Sequence, residues 1–129
     1  MIDKLKKISD AIDSCTKEKN IVLIYDNFGN NNCACALGCL LIQNNIDLDV
    51  NPSSTNFLYK EISKILDVPE YWVDAFIAGF DNTPWYSGWS TDPNLNHSLA
   101  EEANNAGIEF RKRYNPLNYI DYLRLPSAP

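Results

Sequence analysis

The sequence predicts a mostly α-helical, compact single domain, residues 1–129, built around one helix of small and apolar residues. Three observations indicate this fold class. An uncharged run, residues 30–45, holds three of the four cysteines. Apolar residues recur every three or four positions in residues 2–18 and 55–67, as in amphipathic helices. A 129-residue chain with 45% hydrophobic residues also has enough apolar material for one packed core.

The N-terminal segment, residues 1–19, is predicted to be an amphipathic helix. Its apolar stripe consists of Ile2, Leu5, Ile8, Ile12 and Cys15. The β-branched run that follows, residues 21–25, predicts one short β element. Because no partner strand follows in the sequence, this run is either half of a small hairpin or a helical or extended segment on the core.

The central buried helix is predicted over residues 31–45. Asn31 or Asn32 would cap its start, because asparagine side chains accept hydrogen bonds from the first helical amides. Asn44 or Asn45 would supply the left-handed residue that commonly ends a helix. Its alanines and glycine would let neighbouring helices approach closely, so the helix is expected to be enclosed on all sides.

A helix pair is predicted over residues 55–79. Ser54 or Thr55 would cap the first helix, and Pro69 would begin the second. The spacing resembles a helix-turn-helix, but residues 70–78 contain no lysine or arginine. A DNA-binding role is therefore not expected, because such a helix would repel phosphate.

The last third of the chain is predicted to hold an aromatic loop, a long helix and a tail. Residues 80–95 are rich in aromatic residues but are interrupted by proline, glycine and asparagine, which favours a loop. Residues 96–114 form the final helix, capped by Asn96. Residues 115–129 form a short apolar tail that is expected to dock on the body of the domain.

The charge balance and the hydrophobic pattern limit the partners. A net charge of −6 argues against nonspecific binding to nucleic acid or to an anionic membrane, since both require a positive field. No apolar run approaches the roughly 20 residues that a membrane span requires, and no signal-peptide pattern begins the chain. We therefore expect a cytoplasmic protein.

The four cysteines, Cys15, Cys33, Cys35 and Cys39, are expected to be free, buried thiols that pack as small apolar side chains. A zinc site is the alternative, because Cys35 and Cys39 lie one helical turn apart. Against zinc, the sequence has no C-x-x-C pair, and the only histidine, His97, is far along the chain. No metal and no cofactor is predicted.

A second alternative is a papain-like cysteine hydrolase. Cys33 or Cys35 would be the nucleophile at a helix start, where the thiol pKa is lowered, and His97 would be the base. However, His97 lies where a helix begins, whereas papain-like enzymes present their histidine from a β-strand. A non-enzymatic role is therefore favoured, and no residue is predicted to be catalytic.

Several short motifs resemble those of small accessory proteins found in phages and bacterial mobile elements. The matching pieces are the C-x-L-G-x-L helix of residues 35–40, the G-F-D turn of residues 79–81 and the glycine-containing final helix around residues 107–114. That set has no established activity. The resemblance implies a small accessory protein that acts inside a bacterial host cell.

Two binding hypotheses follow. In the first, an acidic surface binds and inhibits a basic host protein, as an anti-defence inhibitor would. Its candidate residues are Asp47, Asp49, Asp67, Glu70 and Asp74. In the second, aromatic stacking and positive charge capture a small anionic ligand such as a nucleotide. Its candidate residues are Asp81, Trp85, Tyr86, Trp89, Arg111 and Arg113.

Overall fold

A computed structural model describes residues 2–49, 55–85 and 92–126. These residues form six α-helices and a small three-stranded sheet, which confirms the predicted mostly α-helical class. The helices are α1 (Ile2–Asp13), α2 (Ala36–Gln43), α3 (Thr55–Leu66), α4 (Glu70–Asp81), α5 (His97–Tyr114) and α6 (Tyr119–Leu123), and the strands are β1 (Val22–Tyr25), β2 (Cys33–Ala34) and β3 (Leu117–Asn118).

The chain divides into two compact units. The first contains the described residues up to Leu58 together with those from Pro116 onward, and the second runs from Tyr59 to Asn115. That the two units belong to one domain stays a prediction.

In the first unit, α1 confirms the predicted N-terminal helix and continues as a π-helical segment, Ser14–Glu18. Ile8, Ile12 and Cys15 are completely buried, and α1 packs against α2. This part of the apolar stripe is therefore the face that the helix buries, and its packing stabilises a helix that would be only marginally stable in isolation.

The sheet of the first unit has the strand order β2-β1-β3, and both pairings are parallel. Val22 of β1 pairs with Cys33, and Ile24 pairs with Leu117. The predicted β element is thus confirmed, but the hairpin alternative is wrong, because a hairpin requires antiparallel strands. Each partner strand has only two residues, too few to show an alternating pattern in the sequence.

The central helix begins later than predicted. Cys33 and Ala34 form β2, and α2 starts only at Ala36, so the predicted caps Asn31 and Asn32 are wrong. The physical reason is Asn30, whose side-chain oxygen accepts hydrogen bonds from the amides of Asn32 (2.7 Å) and Cys33 (3.1 Å) and fixes a turn there. The predicted enclosure is confirmed, because every residue from 36 to 41 is buried.

The C-terminal tail docks on the first unit through Tyr122, with Leu117 and Tyr119 packed against the same cluster. Tyr122 is 5% exposed and packs in a cluster with Ile24 and Cys33, which confirms part of the docking prediction. Ile120 and Leu123, in contrast, are 47% and 53% exposed. A five-residue helix buries only one side, so the neighbouring apolar residues of α6 are left at the surface.

In the second unit, α4 and α5 pack with their backbones in close approach. A Cβ on Gly79 would overlap the carbonyl oxygen of Asn104, and a Cβ on Gly107 would overlap the carbonyl oxygen of Phe76. The side-chain amide of Asn104 donates to the carbonyl of Ala75 (3.0 Å) at the same crossing. Each helix therefore contributes a glycine where the other helix passes.

Four aromatic side chains fill the core between α4 and α5. The ring of Phe76 stacks between those of Trp72 and Phe80, with centroid distances of 5.5 and 6.3 Å. Phe110 of α5 meets Phe76 edge-on at 5.6 Å. Trp72, Phe76 and Phe80 are at most 2% exposed. This stack joins the two helices, as expected from the geometry that aromatic pairs prefer.

The start of α5 is capped as predicted, because the side-chain oxygen of Asn96 accepts a hydrogen bond from the amide of Leu99 (3.1 Å). We expect Asn96→Ala to lower the free energy of unfolding by about 1 kcal/mol, since the amide loses its partner. Urea denaturation measures the change. Asn105→Ala, at an exposed position inside the same helix, is the control and should be neutral or slightly stabilising. Equal losses for both variants would contradict the capping role.

Candidate functional site

The best candidate surface is acidic and lies where α3 ends and α4 begins. Residues 67–81 contain four acidic residues and no lysine, arginine or histidine. Asp67, Glu70 and Asp74, three of the predicted partner-binding residues, are all exposed. Glu70 and Asp74 lie four residues apart in α4, so they share one side of that helix. We call these three residues the α4 acidic face.

The turn that presents the α4 acidic face is well ordered by hydrogen bonds. Asp67 has a left-handed φ of 55° and ends α3, while the amide of Val68 donates to the carbonyl of Ser63 (3.1 Å). The hydroxyl of Ser63 donates back to the carbonyl of Val68. Pro69 then precedes α4, without a capping hydrogen bond from its side chain. The backbone therefore fixes the positions of Asp67 and Glu70 relative to each other.

Four ion pairs among the described residues join side chains three or four positions apart, and they leave the α4 acidic face uncompensated. They are Lys6–Asp10, Lys17–Asp13, Lys64–Glu61 and Lys112–Glu109. None of them involves Asp67, Glu70 or Asp74. The carboxyl group of Asp74 accepts one long hydrogen bond, from the hydroxyl of Tyr59 (3.4 Å). The face therefore carries negative charge that no described cation neutralises.

The two other predicted partner-binding residues, Asp47 and Asp49, are brought together in the first unit. The carboxyl group of Asp47 accepts from the side-chain amide of Asn31 (3.0 Å) and from the amide of Asp49 (2.9 Å). The carboxyl group of Asp49 accepts from the amide of Asn31 (3.3 Å). Both carboxyl groups are thus used to hold the asparagine-rich turn before β2, although both residues are exposed.

Cys33 and Cys35, the predicted nucleophiles, are both buried. The sulfur of Cys35 caps α2 by accepting a hydrogen bond from the amide of Gly38 (3.3 Å), and Cys35 is only 6% exposed. The amide of Cys35 donates to the carbonyl of Phe28 (3.2 Å), which also lies where a Cβ on Gly38 would be. His97 is exposed and begins α5 in the other unit. A thiol does lie at a helix start, as predicted, but it is buried there.

Cys33, the other predicted nucleophile, contacts Asn30 and lies near Tyr122. Its thiol donates to the side-chain oxygen of Asn30 (3.7 Å), and Cys33 packs in the same buried cluster as Tyr122. Burial is the main cause that raises the pKa of Cys33, and burial likewise raises the pKa of Tyr122. Both groups are therefore held neutral, which is unsuitable for a nucleophile.

The predicted ligand-binding residues are only partly within the described chain. Tyr86 and Trp89 lie outside the described residues, and Trp85 is half-buried. A guanidinium nitrogen of Arg111 donates to the carbonyl of Phe80 (3.4 Å), next to Asp81 at the end of α4. Arg113 is exposed, and its guanidinium lies 5.0 Å from the ring centre of Tyr114. The anion-binding site stays a prediction.

The arrangement of the cysteines does not resemble a metal site within the described residues. Within the described residues, no group of three or more histidine, cysteine, aspartate or glutamate side chains is arranged to hold a metal ion. None of the four cysteines forms a disulfide, and all four are buried. The sequence missed one feature, the contact between Cys15 and Cys39 across two helices, because no local spacing relates residues 24 positions apart.

Comparison with known proteins finds no relative. No protein-family model, no curated protein and no solved structure matches this chain. Among the described helices, none combines the length and the apolar character that crossing a bilayer would require.

Proposed function

We propose that this chain is a non-enzymatic binding protein whose α4 acidic face binds a basic surface of a host protein and inhibits that protein. The observation that carries the proposal is the exposed, uncompensated charge of Asp67, Glu70 and Asp74 on a segment without any basic residue. Complementary charge steers such partners together and selects against acidic ones.

The electrostatic repulsion between Glu70 and Asp74 supports a binding role. Like charges four residues apart on a helix destabilise it by about 0.2–0.5 kcal/mol, so Glu70 and Asp74 work against the folding of α4. A lysine or arginine from a partner would relieve this repulsion and gain two charge-assisted hydrogen bonds. The electrostatic cost in the free protein then becomes a gain in the complex.

A purely structural role explains part of this surface. Glu70 lies in the first turn of α4, where negative charge complements the helix dipole, and Asp74 accepts from Tyr59. Asp67 has a structural role as the left-handed residue that ends α3, but its carboxyl group makes no ion pair within the described residues. Charge reversal separates the two roles, since a structural role predicts a change in stability and a binding role predicts a change in affinity.

The biological setting is part of the proposal. The motif resemblance supports an accessory protein of a phage or mobile element that acts in the cytoplasm of a bacterial host as an anti-defence inhibitor. Asp47 and Asp49 are the weaker candidates for partner contact, because both carboxyl groups already hold the turn at Asn31. We therefore assign the main contact to the α4 acidic face.

The test is quantitative affinity enrichment of bacterial proteins on the immobilised chain. We expect a basic protein to be enriched by the wild type and its recovery to fall about 10-fold with Glu70→Lys/Asp74→Lys, the loss expected for two rim charges. Glu101→Lys/Glu102→Lys makes the same change in net charge on exposed residues of α5 and is the matched control. Equal recovery by both double variants would contradict the proposal.

Capture of a small anionic ligand is the alternative. Arg113→Ala removes an exposed guanidinium and leaves the contact of Arg111 with Phe80 in place. A nucleotide-sized mass retained by the wild type in native mass spectrometry, and lost in Arg113→Ala, would favour this alternative over a protein partner.

A further inference from the structure

Two buried thiols from different helices meet in the first unit. The thiol of Cys15 donates to the backbone carbonyl of Cys39 (3.7 Å), and each of the two thiols shifts the pKa of the other. Both residues are 0% exposed. Cys15 belongs to the π-helical segment that follows α1, and Cys39 lies in the middle of α2.

The π-helical segment is what places Cys15 at this contact. A π-helical turn contains more residues than an α-helical turn and so rotates the following side chains relative to the α1 stripe. Such segments are uncommon and are frequent at functional sites. Here the segment keeps Cys15 on the buried side, against α2.

The other two thiols have separate partners. The sulfur of Cys35 accepts from the amide of Gly38, and the thiol of Cys33 donates to Asn30. Cys35 also influences the pKa of Cys39, but Cys15 is the cysteine whose thiol contacts Cys39 from another helix.

We propose that Cys15 and Cys39 form a reversible disulfide by exchange with a small-molecule disulfide such as oxidised glutathione. In the first step, the thiolate of one cysteine attacks the small disulfide, forms a mixed disulfide and releases one small thiolate. In the second step, the other cysteine loses its proton and attacks the mixed disulfide, which forms the Cys15–Cys39 bond and releases the second small thiolate. The protein loses two electrons and two protons, and the small disulfide is reduced to two thiols.

The interaction between the two thiols favours Cys15 as the attacking sulfur. The side chain of Cys39 lowers the pKa of Cys15, although burial opposes the effect. The pKa of Cys39 is raised by its interaction with Cys15 and by burial. Since both sulfurs are buried, the first step requires local opening of the π-helical segment, which makes the exchange slow without changing its equilibrium.

The disulfide would tie the N-terminal helix to the central helix. In the reduced protein, α1 and the π-helical segment pack against α2 and the thiol of Cys15 donates to the carbonyl of Cys39, but no covalent bond joins them. A covalent link across this contact restricts the unfolded chain and so favours the folded state of the first unit. Oxidation is therefore expected to stabilise the fold, which makes the pair a redox-sensitive device that is independent of the acidic face.

The experiment equilibrates the full chain in glutathione buffers, traps free thiols by alkylation and maps the products by tryptic mass spectrometry. Trypsin separates Cys15, in the fragment of residues 8–17, from Cys39, in that of residues 20–60. We expect these fragments to be joined by a link that is two hydrogen atoms lighter. We also expect the equilibrium constant for the link to be at least about 10-fold larger in buffer than in concentrated urea, because folding holds the thiols together.

Variants identify the second cysteine, because Cys33, Cys35 and Cys39 share one tryptic fragment. The link should persist in Cys33→Ser/Cys35→Ser and disappear in Cys39→Ala, with circular dichroism to confirm that each variant folds. The proposal is overturned if no link forms, if urea does not weaken it, or if Cys15 links mainly to Cys33 or Cys35.

Discussion

Phe76→Ala is expected to lower the free energy of unfolding by about 4 kcal/mol. Phe76 is completely buried and contacts the rings of Trp72, Phe80 and Phe110. Truncation removes its buried apolar area and leaves a cavity. The helices cannot move closer to fill this cavity, because the backbones of α4 and α5 are already in contact at the two glycines. Urea denaturation followed by tryptophan fluorescence measures the change, since Trp72 belongs to the same stack.

Phe57→Ala is the matched control for this prediction. Phe57 is 43% exposed at the start of α3, so the same chemical truncation should cost less than about 0.5 kcal/mol. A small loss at Phe76, similar to the loss at Phe57, would mean that the aromatic stack is not the core of the second unit.

Gly107→Val is expected to lower the free energy of unfolding by about 3 kcal/mol. Any Cβ at this position would overlap the carbonyl oxygen of Phe76 and lie 2.9 Å from the amide nitrogen of Phe80. These atoms are backbone, so they cannot rotate away as a side chain would. The helices must instead separate, which weakens the packing of Phe110 on Phe76.

Asn105→Val introduces the same residue at an exposed position of the same helix and is the control. Its expected change is within about 0.5 kcal/mol, because it alters only helix propensity. If α5 did not cross α4 at Gly107, valine there would be neutral or stabilising, since glycine is a poor helix former. That result would contradict the helix pairing.

The helices were predictable from the sequence because their signals are local. The structure confirms the apolar stripe of α1, the cap at Asn96 and the end of α2 at Asn45. Each of these features depends on neighbouring residues. Asn45 indeed has a left-handed φ of 63°. Local signals also explain the error at the start of α2, since a run of small apolar residues has the same composition in a strand and in a helix.

The sheet and the glycine contacts were not predictable, because both depend on residues far apart in the chain. β3 pairs with β1 across more than 90 residues, and a two-residue strand carries no periodic signal. Gly107 was noticed as part of a motif, but its role depends on which helix passes beside it.

The acidic residues were recognisable in the sequence, but the sequence did not show which of them are already used in hydrogen bonds. Charge counts placed Asp47, Asp49, Asp67, Glu70 and Asp74 in a single hypothesis. The structure shows that the first two hold a turn by hydrogen bonds, whereas Asp67 and Glu70 make no ion pair among the described residues. Side-chain hydrogen bonds of this kind depend on the fold and leave no pattern in composition.

The central claim is that the α4 acidic face binds a basic protein through charge, and the salt dependence of binding tests it most directly. With the enriched partner in purified form, the dissociation constant is measured over a range of sodium chloride concentrations for the wild type and for Glu70→Lys/Asp74→Lys. The claim predicts that wild-type affinity falls steeply with salt and that the variant binds about 10-fold more weakly at low salt, with a shallower dependence. Equal affinities for the two proteins, or binding that salt leaves unchanged, would contradict it.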